Sequence, residues 1–107
     1  MLKKNISAIE RLSDLLDFKK ESITSKAIID KGGGTITLFA FDKAQGLGTH
    51  TSPMVTVLHC IEGSIQITID KVVDTIGDGE IVTVPPETPL SILSINKAKV
   101  LFTRIKS

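Results

Sequence analysis

The sequence predicts an all-β domain, preceded by one short helix, and three observations support this fold class. Residues that favour strands, chiefly Ile, Val and Thr, recur through most of the 107-residue chain. They form about eight short segments separated by turns at regular spacing, which is typical of a β-sandwich or a closed barrel. Hydrophobic residues make up 41% of the chain and aromatic residues only 4%, so the core of this single domain has to be aliphatic.

The only helical pattern lies in residues 7–18. The apolar residues of one helical face are Ile9, Leu12, Leu15 and Leu16. Ser7 and Glu10 form a capping box, which favours a helix start at this point. We interpret the helix as a structural cover for the sheet, so that residues 1–22 form an N-terminal helical segment on a barrel of residues 23–107.

Short strands separated by turns follow from residue 22 onward. The predicted strands are 25–30, 35–41, 54–61, 64–70, 71–76, 80–84, 90–95 and 99–105. Ile65, Ile67 and Ile69 alternate with polar residues, which indicates a strand with one face in water. The glycines of residues 31–34 are predicted to form a turn, because a strand and not a phosphate-binding helix start follows them. Residues 43–48 are predicted to be a loop.

Composition and charge argue against several classes of function. A formal net charge of +1 gives no basic surface for nucleic acid, and the few aromatic residues offer no platform for stacking bases. No apolar run approaches the roughly 18 residues that span a bilayer. Residues 1–5 show no apolar signal segment, so we expect a cytoplasmic location. Cys60 is the single cysteine, which excludes an intrachain disulfide and a cysteine-based zinc site.

Three segments carry a pattern that resembles a known family. They are Gly46–Pro53 (GLGTHTSP), Val57–Gly63 (VLHCIEG) and Gly79–Pro86 (GEIVTVPP). Together, and at this spacing, they are similar to the cupin superfamily, specifically to its small single-domain members. The resemblance covers roughly residues 25–105. It implies a jelly-roll β-barrel, and because many such proteins form dimers, we expect a homodimer.

The family's metal-binding motifs are incomplete in this chain. They resemble G-x5-H-x-H-x3,4-E-x6-G and G-x5-P-x-G-x2-H-x3-N, which supply three imidazoles and a carboxylate. His50 stands at the first imidazole position, Ser52 at the second, Thr56 at the carboxylate position and Leu90 at the third imidazole. One ligand of four remains, and a transition metal needs several that converge. We therefore expect no metal and no other cofactor.

Other reactive side chains do not complete a site. His59 lies an odd number of residues after His50, so on an unbroken strand it points to the opposite face, against an outer layer or a dimer partner. Cys60 is expected to face the interior as a small hydrophobe. It lies roughly 33 Å along a straight strand from His50, too far for a catalytic pair. Glu87 lies between prolines and is expected near a barrel mouth.

The sequence therefore predicts a barrel that binds a small molecule, or a sensor or accessory module, without catalytic residues. The predicted pocket is lined by His50, Ser52, Met54, Thr56, Leu58, Cys60, Leu90 and Ile92. Two alternatives stay open. One is a metal-dependent isomerase or dioxygenase that combines His50 with His59, Cys60 or Glu87. The other is a structural module whose outer sheet mediates assembly.

Overall fold

Two antiparallel sheets face each other and enclose the core of the chain. A computed structural model describes residues 9–106. Its strands are β1 (Ile23–Lys31), β2 (Gly34–Phe41), β3 (Gly46–His50), β4 (Val55–Glu62), β5 (Ser64–Ile69), β6 (Val72–Gly77), β7 (Ile81–Val84), β8 (Leu90–Ser94) and β9 (Ala98–Ile105). The larger sheet has the order β1-β2-β9-β4-β7, and the smaller sheet has the order β3-β8-β5-β6. The all-β fold class is confirmed.

The core forms because apolar residues alternate with polar ones along the central strands. On β4, Thr56, Leu58 and Cys60 are buried, while the residues between them are partly exposed. Ile65 and Ile67 repeat the pattern on β5 of the opposite sheet. The core cluster comprises Phe41, Leu58, Cys60, Ile65, Ile67, Ile76, Val84, Leu90, Ile92, Ala98, Val100 and Phe102. It is largely aliphatic, as the composition predicts.

The predicted N-terminal helix is wrong over the residues that the structure describes. Ser7, its predicted cap, lies outside them. Leu12–Asp14 forms a single turn of 3-10 helix, and Ile9, which the helix would have placed on its apolar face, is fully exposed. A helix this short is marginal by itself, so contacts with the sheet decide its conformation. In residues 9–106 no helix has the length and apolar character needed to cross a bilayer.

The N-terminal segment nevertheless covers part of the larger sheet, on the face that points away from the core. The ammonium group of Lys99 on β9 donates a hydrogen bond to the carbonyl of Ser13 and lies 5.0 Å from the ring centre of Phe18. Thr24 Oγ1 on β1 donates to the carbonyl of Asp17 over 3.0 Å. Lys99 is only 7% exposed. The N-terminal segment thus helps to bury the ammonium group and also supplies a hydrogen-bond acceptor for it.

Strand β3 replaces a stretch that the sequence pattern assigns mostly to a loop. Its backbone pairs with β8, with Gly46 opposite Leu93 and His50 opposite Leu90. A side chain at Gly46 would overlap the carbonyl oxygen of Ile92, so the strands can approach only because this residue is glycine. The pairing brings the end of β3 to one end of the barrel, where it places His50.

Candidate functional site

His50 ends β3 at the mouth of the barrel, where both of its ring nitrogens have partners. Nδ1 lies 3.0 Å from the carbonyl oxygen of Gly48, and Nε2 lies 3.0 Å from Nη2 of Arg104. A guanidinium group can only donate hydrogen bonds. Nε2 is therefore the acceptor, and the ring proton sits on Nδ1, which donates to Gly48. These two bonds fix the tautomer and the orientation of the imidazole.

Arg104 reaches the same place from β9 in the larger sheet. Ala98, Val100 and Phe102 of β9 point into the core, and Arg104 is the next residue of this inward series. The side chain is half-buried, and the carbon of its guanidinium lies 5.8 Å from the ring centre of Phe102. Arg104 was not predicted from the sequence. Its signal was an arginine in phase with three buried apolar positions of one strand.

Thr56 completes the cluster from β4. It is the register partner of Arg104 and is only 3% exposed. Nε of Arg104 donates to its hydroxyl oxygen over 3.3 Å. The position that carries a metal-binding carboxylate in the cupin motif thus carries a neutral acceptor for a guanidinium. We call His50, Thr56 and Arg104 the mouth cluster.

Four of the other predicted pocket residues lie deeper, within the packed core. Leu58, Cys60, Leu90 and Ile92 are each at most 3% exposed and belong to the central cluster. Leu90 pairs with both His50 and Ile69, and therefore lies directly beside the mouth cluster. Leu90 lies nearest the mouth, whereas Cys60 lies four residues further along β4 from Thr56, at the turn of Glu62 and Gly63.

Ser52 and Met54 lie in the loop between β3 and β4. The hydroxyl of Ser52 accepts a hydrogen bond from the backbone N–H of Met54 over 3.1 Å. Its carbonyl accepts the N–H of Glu87 over 2.7 Å. Ser52 therefore connects the loop before β4 to the loop before β8 by a hydrogen bond. Ser52 and Met54 are both partly buried.

Cys60 is buried and acts as a hydrogen-bond donor. Its sulfur lies 3.6 Å from the carbonyl oxygen of Glu62 and 3.5 Å from that of Gly63. Burial, assisted by the nearby carboxylates of Asp78, Glu80 and Glu62, raises the pKa of the Cys60 thiol to about 11. The thiol is protonated at neutral pH and is not a nucleophile there.

The remaining candidate metal ligands lie apart. His59 is on the outer face of β4, in register with Ile81 and Leu101, as the alternation along the strand predicts. Glu87 is exposed in the loop before β8 and has a φ of 58°. Within residues 9–106 no group of three or more His, Cys, Asp and Glu side chains could hold a metal ion.

Two pockets lie elsewhere on the surface. One, of about 270 Å³, is lined by Thr49, Thr68, Asp70, Lys71 and Pro89 at one end of the smaller sheet. The other, of about 290 Å³, is lined by Ile29, Lys31, Gly33, Gly34, Thr35, Ile36, Thr103, Arg104 and Ile105. The second pocket shares only Arg104 with the mouth cluster.

Solved structures with the same architecture include several cupins, although no family model and no curated protein matches the chain. A cupin superfamily protein from Desulfitobacterium hafniense has a TM-score of 0.88 at 19% identity over 94% of both chains. An RmlC-like cupin from Desulfovibrio desulfuricans gives 0.82 at 19% identity, covering 94% of this chain and 97% of that one. A cupin 2 conserved barrel domain protein from Leptotrichia buccalis gives 0.85 at 21% identity, over 89% of this chain and 46% of that one. The chain thus has the fold of a small cupin domain.

The metal that the cupin motif implies does not fit the residues at the mouth. His50 is the only motif imidazole, and its free lone pair already accepts the guanidinium of Arg104. A metal ion would have to displace Arg104 and then sit beside a permanent positive charge. The other motif positions hold a hydroxyl, a loop serine and a buried leucine, which bind such metals poorly.

Proposed function

We propose that this chain, which has the cupin fold, is a binding module that takes a small molecule at the mouth of its barrel without a catalytic metal. The observation that carries the proposal is the 3.0 Å hydrogen bond from Arg104 Nη2 to His50 Nε2. It uses the only motif imidazole to position an organic cation. The site thereby offers hydrogen-bond donors to a ligand where a metalloenzyme would offer a Lewis acid.

The packing supports a binding surface at the mouth and not deep in the barrel. The residues below the mouth cluster are close-packed, whereas His50 and Arg104 retain partial exposure. Thr56 is a neutral hydroxyl, and His50, the one residue of the cluster that could act as a general base, already accepts a hydrogen bond from Arg104 at Nε2. Binding, as in a sensor or accessory module, therefore suits the cluster better than catalysis.

Titration of the ¹⁵N-labelled protein with a library of small organic molecules tests this proposal. We expect the ligand-induced chemical-shift changes to occur at His50, Thr56 and Arg104. They should be the same with and without a chelator. His50→Gln is expected to weaken binding about tenfold, because the guanidinium loses its orientation. His59→Gln, on the outer face, serves as the matched control and leaves affinity unchanged. Binding that requires an added metal ion, or that maps away from the mouth, would contradict the proposal.

A second candidate role, assembly of a homodimer, is favoured by the outer face of the larger sheet. Ile29, Ile81 and Ile105 point outward from this sheet and are 44%, 61% and 53% exposed. Residues 9–22 contact this face at Lys99 and Thr24. An exposed apolar sheet surface of this kind is typical of a protein interface.

Light scattering tests the dimer. The wild-type protein is expected to have the mass of two chains, and Ile81→Lys is expected to shift it toward one. Val72→Lys is the matched control, since Val72 is 67% exposed but belongs to the smaller sheet. A monomeric wild-type protein, or equal effects of the two variants, would contradict this role.

A further inference from the structure

Arg104 is a half-buried cation without an anionic partner in the described part of the chain. The ion pairs within residues 9–106 join Arg11 to Asp14 and Lys99 to Glu62, and neither involves Arg104. A charge withdrawn from water is costly unless an opposite charge or several hydrogen bonds compensate it. The guanidinium is in this respect the least compensated charge at the mouth.

The hydrogen bonds that Arg104 makes leave most of its donors available. Nε donates to Thr56 and Nη2 donates to His50, which accounts for two of the five N–H groups of a guanidinium. Both acceptors are neutral, so they orient the group without cancelling its charge. His50 is itself held by Gly48, which makes the arrangement rigid before any ligand arrives.

The surroundings of the guanidinium indicate the character of a partner. The ring of Phe102 lies 5.8 Å from it, and Phe102, Leu90 and Val84 are each 3% exposed, so the core is closed below the guanidinium and a ligand approaches from the mouth. Thr35 and Thr56, the register partners of Arg104 on its two neighbouring strands, add hydroxyl groups beside it. One fixed charge with a planar fork of donors suits a planar monoanion.

We propose that Arg104 binds the carboxylate of a small organic acid at the barrel mouth. This inference rests on the proposed binding function and specifies its ligand class. Thr56 and His50 are positioning residues, since each holds the guanidinium through one hydrogen bond. The carboxylate of the acid supplies the negative charge that Arg104 lacks within residues 9–106.

Calorimetric and NMR titrations with acetate, propionate and butyrate, each at constant ionic strength, test this inference. Propionamide and butyramide are the neutral probes of matched shape. The carboxylates are expected to bind saturably and to shift the Arg104 Nε–H resonance, whereas the amides bind about tenfold more weakly or not at all.

The variants separate a specific contact from general charge. Arg104→Met is expected to abolish carboxylate binding, and Arg104→Lys to weaken it about tenfold, because lysine keeps the charge and loses the fork. Arg11→Met, which removes the other arginine of the chain, is the matched control and leaves binding unchanged. Dispersed ¹⁵N spectra verify that each variant is folded, and Arg104→Lys replaces Arg104→Met if the latter is not.

The possible results also separate this inference from the proposed function. Two results would contradict a carboxylate ligand on Arg104 but leave a binding site at the mouth. One is equal binding of carboxylates and amides at the mouth. The other is carboxylate binding that survives in both Arg104 variants. Carboxylates that leave every mouth resonance unchanged would overturn the inference too. If the wider library also fails to shift those resonances, the proposed function fails with it.

Discussion

At the scale of single residues, the decisive feature is Arg104 at the barrel mouth, where the cupin motif would place a metal ion. A metal would bring a positive charge that chelators remove, whereas the guanidinium of Arg104 is covalently part of β9. Thr56 and His50 still converge at the mouth, but as acceptors for the guanidinium. The guanidinium therefore belongs to the chain itself, and both of its side-chain acceptors are neutral.

Cys60 provides a prediction of pH dependence. Its pKa is raised in the folded state to about 11 from an ordinary value of 9.0, so the folded protein favours the protonated thiol. The resulting stabilisation is fully present below pH 9 and is lost as the pH rises toward 11. Between these limits the free energy of unfolding is expected to fall by about 2 kcal/mol more in the wild type than in Cys60→Ser.

Urea unfolding of both proteins at several pH values checks this prediction. Serine can still donate to the carbonyls of Glu62 and Gly63 but does not ionise in this range, so it isolates the titration of the thiol. Stability curves that run parallel from neutral pH to pH 11 would show that burial does not hold the proton on Cys60.

Much of the residue-scale arrangement was predictable, but its centre was not. The alternation along β4 correctly placed Thr56 and Cys60 inward and His59 outward. Arg104 was missed because the cupin motif directs attention to β3, β4 and the loop before β8, whereas this residue comes from β9. From the sequence alone, a charged residue near the end of a strand is expected to be exposed, even when it shares the face of buried residues. Only the strand order shows that Thr56 and His50 lie beside Arg104.

At the scale of secondary structure, the errors occurred where tertiary contacts override local pattern. Residues 9–18 have helical spacing of apolar residues, yet they fold largely without helix. The carbonyl of Ser13 and the ring of Phe18 contact Lys99 of β9 instead. Strand β3 contains two glycines, and the sequence predicts a loop over most of it. The absence of a side chain at Gly46 is what allows β3 to pair with β8. Neither contact is local in sequence.

The turn between β4 and β5 is predicted to depend on Gly63. This residue has a φ of +90°, and a side chain there would overlap the carbonyl oxygen of Lys97. Gly63→Ala is expected to lower the free energy of unfolding by at least about 2 kcal/mol, from backbone strain and the overlap together. Chemical denaturation measures this loss.

Gly79 supplies the matched control for that variant. Its φ of +79° is similar, but no atom lies within 4 Å of the position that a side chain would take. Gly79→Ala is therefore expected to cost only the backbone strain, about 1 kcal/mol. Equal losses in the two variants would show that close packing at Gly63 contributes nothing.

Lys99 is predicted to hold the N-terminal segment on the sheet. Lys99→Met removes the hydrogen bond to Ser13 and the contact with Glu62, while it leaves an apolar stem in place. Limited proteolysis with trypsin at Arg11 and Lys19 is expected to accelerate about tenfold, because a charge-assisted hydrogen bond is lost.

Lys97→Met provides the comparison for this experiment. Lys97 also approaches the ring of Phe18, at 5.6 Å, but it is exposed. Its loss is expected to change cleavage little, because an exposed cation contributes little to such a contact. If the two variants were cleaved at the same rate, the segment would be held by its apolar contacts and not by Lys99.

At the scale of the whole molecule, both sheets contribute residues to the mouth cluster. The larger sheet carries Thr56 and Arg104 on its inner face and, on its outer face, both the N-terminal segment and the exposed isoleucines. The smaller sheet brings His50 across the mouth from β3. The barrel and its aliphatic core followed from composition and strand spacing, whereas the meeting of the two sheets at Arg104 required the topology.

The metal content of the protein tests the central claim of this account most directly. The chain is produced in medium supplemented with iron, manganese, nickel and zinc, purified without chelator, and analysed by elemental mass spectrometry. The account predicts no stoichiometric transition metal, because His50 Nε2 already accepts the guanidinium of Arg104. One metal ion per chain that disappears in His50→Gln but remains in His59→Gln would contradict it.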